Sequence, residues 1–366
     1  MRKLASIQKI EWLKPIEGKD RIELAGVLGY SVVVKKQEFK VGDLCVFCEI
    51  DSVLPEKPEF EFLRSKKFRI RTMKLGSVYS QGIVFELDIL PPKKHNVGYE
   101  LGEDVTKVLG ITQYAPTMDK EPDALIQRQG EISKCHHFLA RFKLFRGLTA
   151  SKRESQKGFP SFIRKTDETR LQNMPHLLQN KQAYIQTEKI DGQSGSFLLI
   201  RHKRILPFLK DTFEYIVCSR NWRLRVKDNS SYWRVSERYH IENALRNMIG
   251  NRDWIAIQGE CIAPNVQKNK YSVTEPDLYV FNVIFPKGRL GSMKAKSIVE
   301  NHGLKFVPIL NEHYVLPDTM EEALRDATGP SILKPDILRE GIVCRTPDGQ
   351  LSWKCVSPEY LVKNDE

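Results

Sequence analysis

The chain has 366 residues, 41% of them hydrophobic, and a formal charge of +12, more than one small core can use and the usual size of two domains. No apolar run reaches the ~18 residues of a membrane helix, and the opening MRKLASIQKIEWLK alternates charges with aliphatics, which argues against a secreted or membrane-spanning chain and for an intracellular one. The basic excess favours a polyanionic partner, because each phosphate contact releases condensed counterions.

From residue 1 to about 150 short β-rich runs follow one another: YSVVVKK (30–36), DLCVFCEI (43–50), KFRIRTMKL (67–75) and QGIVFELDI (81–89). Turn signals such as PIEGKD, KVGD, LPEKPE and PPKKHNVG separate them, a pattern of a small Greek-key barrel. The polar, basic stretch LTASKRESQKGFPSFIRK (148–165) reads as a connector. The expected division is a barrel over 1–150, a linker over 151–160 and a second domain over 161–366.

In that second domain TDETRLQNMPHLLQN predicts a short helix introduced by Thr166 or Asp167. Strands are expected at AYIQTEKI, SGSFLLI, YIVCS, WIAIQGECI, DLYVFNVIF, EGIVCRT and LSWKCV. Three helices interleave: SERYHIENALRNMIG (236–250), KAKSIVENHG ending at Gly303, and DTMEEALRDATG, whose Thr319 and Glu322 have capping-box spacing. The fold class is therefore α+β, a barrel followed by antiparallel sheets.

Residues 201–227 interleave eight basic residues with Phe208, Phe213, Tyr215 and Trp222, which suits phosphate contacts with base stacking and equally a charged β-hairpin face. The seven cysteines are an odd number scattered through apolar segments, as reduced buried thiols are. Cys45 and Cys48 form a CxxC with no second pair at zinc-finger spacing, and Cys135, His136 and His137 lack a fourth ligand, so zinc is not expected at either. His202, His240, His302 and His313 have no partners at ligand spacing and read as structural.

In TEKIDGQS, Lys189 closes a strand one residue ahead of Asp191 and Gly192. A nucleophilic lysine must be neutral, and only about one in two thousand is neutral at pH 7 in water. A partly buried site beside another cation or a divalent metal shifts that balance. Lys189 and Asp191 share a face if the strand continues, and Gly192 would allow a turn that brings backbone near a ligand. Further on come Ser219-Arg220-Asn221, Glu260 after an apolar strand, Phe281 on an aromatic strand, Glu340 in EGIVCR, and Lys354 in LSWKCVS.

The ordered set KxDG, SRN, GE, aromatic strand, EGIV and WK resembles the motif series of the covalent nucleotidyltransferases, the superfamily of ATP-dependent DNA and RNA ligases and mRNA capping enzymes. FKVGDLCVFCEIDSVLP, with IEGKDRIELAGVLGYSVVVKK before it, resembles OB-type and tRNA-binding barrels. A barrel placed first, with KTDETRLQN upstream of the lysine, resembles the fifth RNA ligase family. The resemblance implies an N-terminal OB-like nucleic-acid-binding barrel, an ATP-grasp-like nucleotidyltransferase domain, ATP and Mg²⁺ or Mn²⁺ as cofactors, and RNA or an RNA-containing duplex as partner for a monomeric enzyme.

It further implies three steps: lysyl-AMP formation with release of pyrophosphate, transfer of AMP to a 5′-phosphate end, and attack by a 3′-OH that expels AMP. A nick with RNA on the 3′-OH side is the favoured substrate. Lys189 would be the nucleophile, Glu188 and Phe281 would line the adenine, and Arg220 and Glu260 would contact ribose or phosphates. Arg170 and Lys354 would meet the outer phosphates, and Gly192, Ser194 and Asn221 would complete the nucleotide site. Asp191, Glu260 and Glu340 would organise the metal through its waters.

Two positions depart from the pattern. Lys354 is followed by Cys355 and Val356 where a K-x-K pair is common, and Ser194 stands where related RNA ligases place asparagine. The rival readings are a DNA ligase, a GTP-dependent capping guanylyltransferase, and a non-catalytic RNA-binding protein built on an inactive transferase domain.

Overall fold

The computed structural model describes residues 3–93, 98–114, 158–204, 210–224 and 230–364. The expected linker falls outside them except for residues 158–160, as do Cys135, His136, His137, Phe208 and the cationic Arg225 and Lys227.

The first unit is built from short antiparallel strands. Ala5–Lys9 pairs with Leu44–Cys48, which pairs with Ile83–Phe85. Trp12–Pro15, Ile22–Val27 and Tyr30–Lys35 form a meander, and Thr72–Leu75 pairs with Val78–Gln81. The central Leu44–Cys48 strand is buried on both faces, with Val46 and Cys48 in one hydrophobic cluster and Cys45 and Phe47 in another. Strand alternation thus sends the two CxxC thiols to opposite sides. No three His, Cys, Asp or Glu side chains among the described residues are grouped to hold a metal.

The run 67–75 is not one strand. Lys67 and Phe68 take left-handed φ values of 54° and 57° and close the 3-10 segment Pro58–Lys66, Arg69 makes an isolated bridge to Val53, and the ladder with Val78–Gln81 begins at Thr72. The Ile83–Phe85 strand likewise gives way to a 3-10 turn at Leu87–Ile89.

The second unit is two antiparallel sheets. One orders Ile309–Val315, Ala183–Lys189, Gly341–Arg345 and Ser352–Val356. The other orders Arg223–Leu224, Thr212–Cys218, Gln193–His202, Trp254–Ile262, Asp277–Phe285 and Gly288–Arg289, with Lys305–Phe306 parallel to the Asp277–Phe285 strand. Phe197, Leu199, Ile255, Ile257 and Val283 fill the core beneath the larger sheet, and Tyr184 packs edge-on against fully buried Trp353 in the smaller one. Each such side chain stabilises the fold by ~2 kcal/mol on burial.

The expected helix over 166–180 is instead two 3-10 turns, Leu171–Asn173 and Pro175–Gln179. Pro175 pushes Met174 out of the helical region, to φ −134°. The expected helix at 236–250 starts earlier and is broken in two, Ser231–Arg238 and Ile241–Met248, by His240 in a left-handed conformation. Ser292–Asn301 begins two residues before Lys294, and Gly303 (φ 73°) follows its end. The capping box of Thr319 and Glu322 forms as expected and opens Met320–Ala327.

The two units are joined by direct contacts. Gly29 N–H donates to Gln172 O (2.8 Å), Gln172 Nε2 to Gln81 Oε1 (3.1 Å), and Asn173 Nδ2 to Glu49 Oε1 (3.1 Å). A Cβ on Gly29 would stand 2.6 Å from Gln172 Cα, so only glycine allows this approach. The closing helix Pro358–Asn364 adds a second joint, with Leu361 packed on the barrel core. No helix among the described residues is long and apolar enough to cross a membrane.

Candidate active site

Lys189 ends its strand directly opposite Gly341. That register sets Glu340 beside the lysine, with Lys189 Nζ 2.5 Å from Glu340 Oε2. After Ile190 the chain leaves the smaller sheet and enters the larger one at Gln193, so the lysine stands where the two sheets meet.

Gly192 serves this crossing. A Cβ there would lie 2.5 Å from the Cys261 carbonyl oxygen, so the neighbouring strand demands the glycine. Gly341 is equally constrained, with a Cβ falling 2.2 Å from Cys355 O.

Ser194 pairs in register with Glu260, and its Oγ donates to Glu260 Oε2 at 3.1 Å. A register shift between Gln258 and Gly259 precedes Glu260, the kind of bulge that re-aims a side chain. Asp191 is held from three sides. Its N–H donates to Tyr271 OH (3.0 Å), and its Oδ2 accepts from Lys270 Nζ (2.5 Å) and from Tyr360 OH. Lys270 sits in a loop where Gln267, Lys268, Asn269 and Ser272 all have positive φ, backbone strain of the sort that persists around functional sites.

A cationic group faces this acidic one. Arg170 forms a parallel bridge with Lys354, whose N–H donates to Thr169 O at 2.8 Å. Lys354 Nζ donates to Asp167 Oδ1 (2.8 Å), and Arg220 Nη2 lies 3.6 Å from Asp167 Oδ2. Arg170 is only 6% exposed, and its Nε and Nη1 are buried without a hydrogen-bond partner among the described residues.

Three further expected residues have protein partners. Glu188 is buried and accepts from Ser331 Oγ (2.6 Å) and Ile332 N–H (2.8 Å). Phe281 packs on the core of the larger sheet with the Arg345 guanidinium 5.7 Å away. Asn221 accepts from Lys165 at 3.0 Å. In the described part of the basic hairpin, Arg201 pairs with Asp211 and Arg223 with Glu214, while Lys203 pairs with Asp253 outside it.

The electrostatics run against a lysine that is neutral at rest. Burial disfavours the Lys189 ammonium, but Glu340, Glu260 and Asp191 outweigh it and hold its pKa above the ordinary value. The acids carry the cost. Burial pushes Glu260 up to about 7, with Glu340 and Asp191 adding like-charge repulsion against the pull of Lys189, and Glu340 is raised in the same way. Lys354 is lowered to about 8, by burial first, with Arg170 and Lys189 adding to it and Asp167 opposing.

A lysine at the joint of two antiparallel sheets, caged by ordered carboxylates and facing buried cations, defines a covalent nucleotidyltransferase. An OB-fold domain model matches residues 4–87 and an RNA ligase model matches residues 182–363. Among solved structures, Naegleria gruberi RNA ligase with PPi is 31% identical, with TM-score 0.78, covering 100% of this chain and 99% of that one. A mutant of the same ligase with ATP and Mn is 31% identical (TM-score 0.77; 100% and 98% covered), as is another with AMP and Mn (0.78; 100% and 99%). No curated protein matches the chain significantly. The chain belongs to the RNA ligase family, and its barrel is an OB fold. Membership sets aside the DNA ligase, capping and non-catalytic readings.

Sequence reasoning missed Asp167, Lys270, Tyr271 and Tyr360. Asp167 stands in the quoted KTDETRLQN, and the others carry no spacing signal.

Proposed function

We propose that Lys189 is the nucleophile through which this RNA ligase takes AMP from ATP, and that it seals 3′-OH/5′-phosphate nicks in a duplex with RNA on the 3′-OH side. The contact of Lys189 Nζ with Glu340 Oε2 at 2.5 Å carries the reading. The nucleotide assignment draws on the Naegleria gruberi ligase, solved with ATP and Mn, with AMP and Mn, and with PPi.

Nζ attacks the α-phosphorus in line, a P–N bond forms, and the bond to the bridging oxygen breaks to release pyrophosphate. The lysine must first give up a proton, and Glu340 Oε2 is the acceptor within reach. Arg170 and Lys354 neutralise the departing phosphates, and the buried, unpartnered Nε and Nη1 of Arg170 fit an anion. AMP then passes to the 5′-phosphate, and the 3′-OH displaces it. These are in-line displacements governed by position and charge.

The acids suit a hydrated divalent cation. Asp191, Glu260 and Glu340 crowd one buried site, which raises two of them, and no three are set to ligate an ion directly, so water would mediate. When bound, such an ion would supply the positive field that relieves the carboxylates and lowers Lys189.

Incubation with radiolabelled ATP and Mg²⁺, followed by a denaturing gel, tests the reading. Wild type should retain label and Lys189→Ala should not; equal labelling of both would end it.

A further inference from the structure

The OB barrel enters the second unit at one charged point. Asp51 Oδ2 lies 3.4 Å from Arg170 Nη2, and Asp51 Oδ1 accepts from Arg69 Nη2 at 3.0 Å. Arg69 in turn stacks on Tyr114, 3.7 Å from the ring centroid. Asp51 holds a left-handed φ of 66° and is anchored at both backbone groups: its N–H donates to Ile70 O (3.0 Å), and its carbonyl accepts from Tyr114 N–H (2.8 Å). A carboxylate fixed this firmly is a rigid stop for the guanidinium it meets.

The segment that carries Arg170 has little structure of its own. It is extended at Arg170 and then two 3-10 turns, and the barrel holds it through Gly29, Gln81 and Glu49. The Nε and Nη1 of Arg170 are buried without a hydrogen-bond partner among the described residues, and its backbone bridges to that of Lys354. We infer that Asp51 is a positioning residue for adenylylation: from the barrel it fixes the Arg170 guanidinium in the orientation that receives the outer phosphates of ATP. This rests on the proposed phosphate role of Arg170 and gives the barrel a part in the first chemical step besides any nucleic-acid contact. A planar guanidinium discriminates by direction, so the loss of one anchoring carboxylate shows as weakened ATP use and not as lost folding.

The test uses the full-length protein and Asp51→Asn, a substitution that keeps the shape and favours the left-handed backbone. Lys189 adenylylation is followed across ATP concentrations, and sealing of a pre-adenylylated nick is followed without ATP. The expected result is an ATP KM for adenylylation raised by about tenfold, the scale of one charge-assisted hydrogen bond, with nick sealing near wild type. In Arg170→Ala, adding Asp51→Asn should cost nothing further. An unchanged ATP dependence in Asp51→Asn, or equal losses in both assays, would overturn the inference while Arg170→Ala stays impaired. Wild-type ATP use by Arg170→Ala would instead remove the phosphate reading on which it rests.

Discussion

Lys189 and Glu340 lie 151 residues apart in the chain and meet with Nζ and Oε2 2.5 Å apart. The resting lysine is thereby held as an ammonium by the acid that the proposed mechanism needs. Glu340→Ala should slow lysyl-AMP formation by about 10²-fold, the range for loss of a proton-transfer or electrostatic partner, with the far-ultraviolet circular dichroism unchanged. Rates within twofold of wild type would remove Glu340 from the chemistry.

Glu260 predicts a conflict between activity and stability. Its carboxyl is raised from 4.5 to about 7, so it favours the folded state while protonated, and that advantage is lost as pH rises through 7. At ~1.4 kcal/mol per pH unit the loss is about 3 kcal/mol. Glu260→Gln should therefore melt above wild type at pH 8 and at nearly the same temperature at pH 4.5, while adenylylation is lost. Differential scanning calorimetry at the two pH values checks this.

Lys354, lowered to about 8, should set an alkaline limit. Below that pH it is charged and available to phosphate, and above it the charge is lost, so kcat/KM for ATP should fall through pH 8 to 9. Lys354→Arg keeps its charge at these pH values and should flatten the limb. A limb that persists in the arginine variant would assign it to another group.

Gly192→Ala places a Cβ 2.5 Å from Cys261 O, backbone that cannot step aside. Overpacking of this kind costs ~1–3 kcal/mol, and the denaturant midpoint should drop accordingly. A midpoint equal to wild type would show that the strand crossing is less tight than the geometry indicates.

Tyr360→Phe removes one hydroxyl that donates to the Asp191 carboxylate. Adenylylation should weaken several-fold, about 1 kcal/mol for one hydrogen bond, with little change in melting. Unaltered kinetics would leave Lys270 and Tyr271 as sufficient anchors.

Much of this site was legible because it follows strand grammar. Lys189, Glu260, Glu340 and Lys354 each stand on an apolar run, and the capping box of Thr319 and Glu322 announced its helix. What escaped depends on separations that no local pattern encodes: Tyr360 meets Asp191 across 169 positions, and Lys354 meets Asp167 across 187. The Ile309–Val315 strand flanking Ala183–Lys189 escaped because most of its side chains are exposed or half-buried, so it lacks the apolar run by which its neighbours were read. The segment after Arg170 looked helical because its composition allows a helix, whereas its hydrogen bonds go to the barrel and Pro175 interrupts it.

The helix Pro358–Asn364 ties one anchor of the site to the barrel. Tyr360 holds Asp191 while its neighbour Leu361 packs into the barrel core. Chains are made from the N-terminus, and domains fold as units while they emerge. The barrel and the larger sheet can therefore form while the Asp191 carboxylate is still missing one of its anchors. A chain without that helix would fold with Asp191 held by Lys270 and Tyr271 alone, and the third anchor would arrive only with Pro358–Asn364.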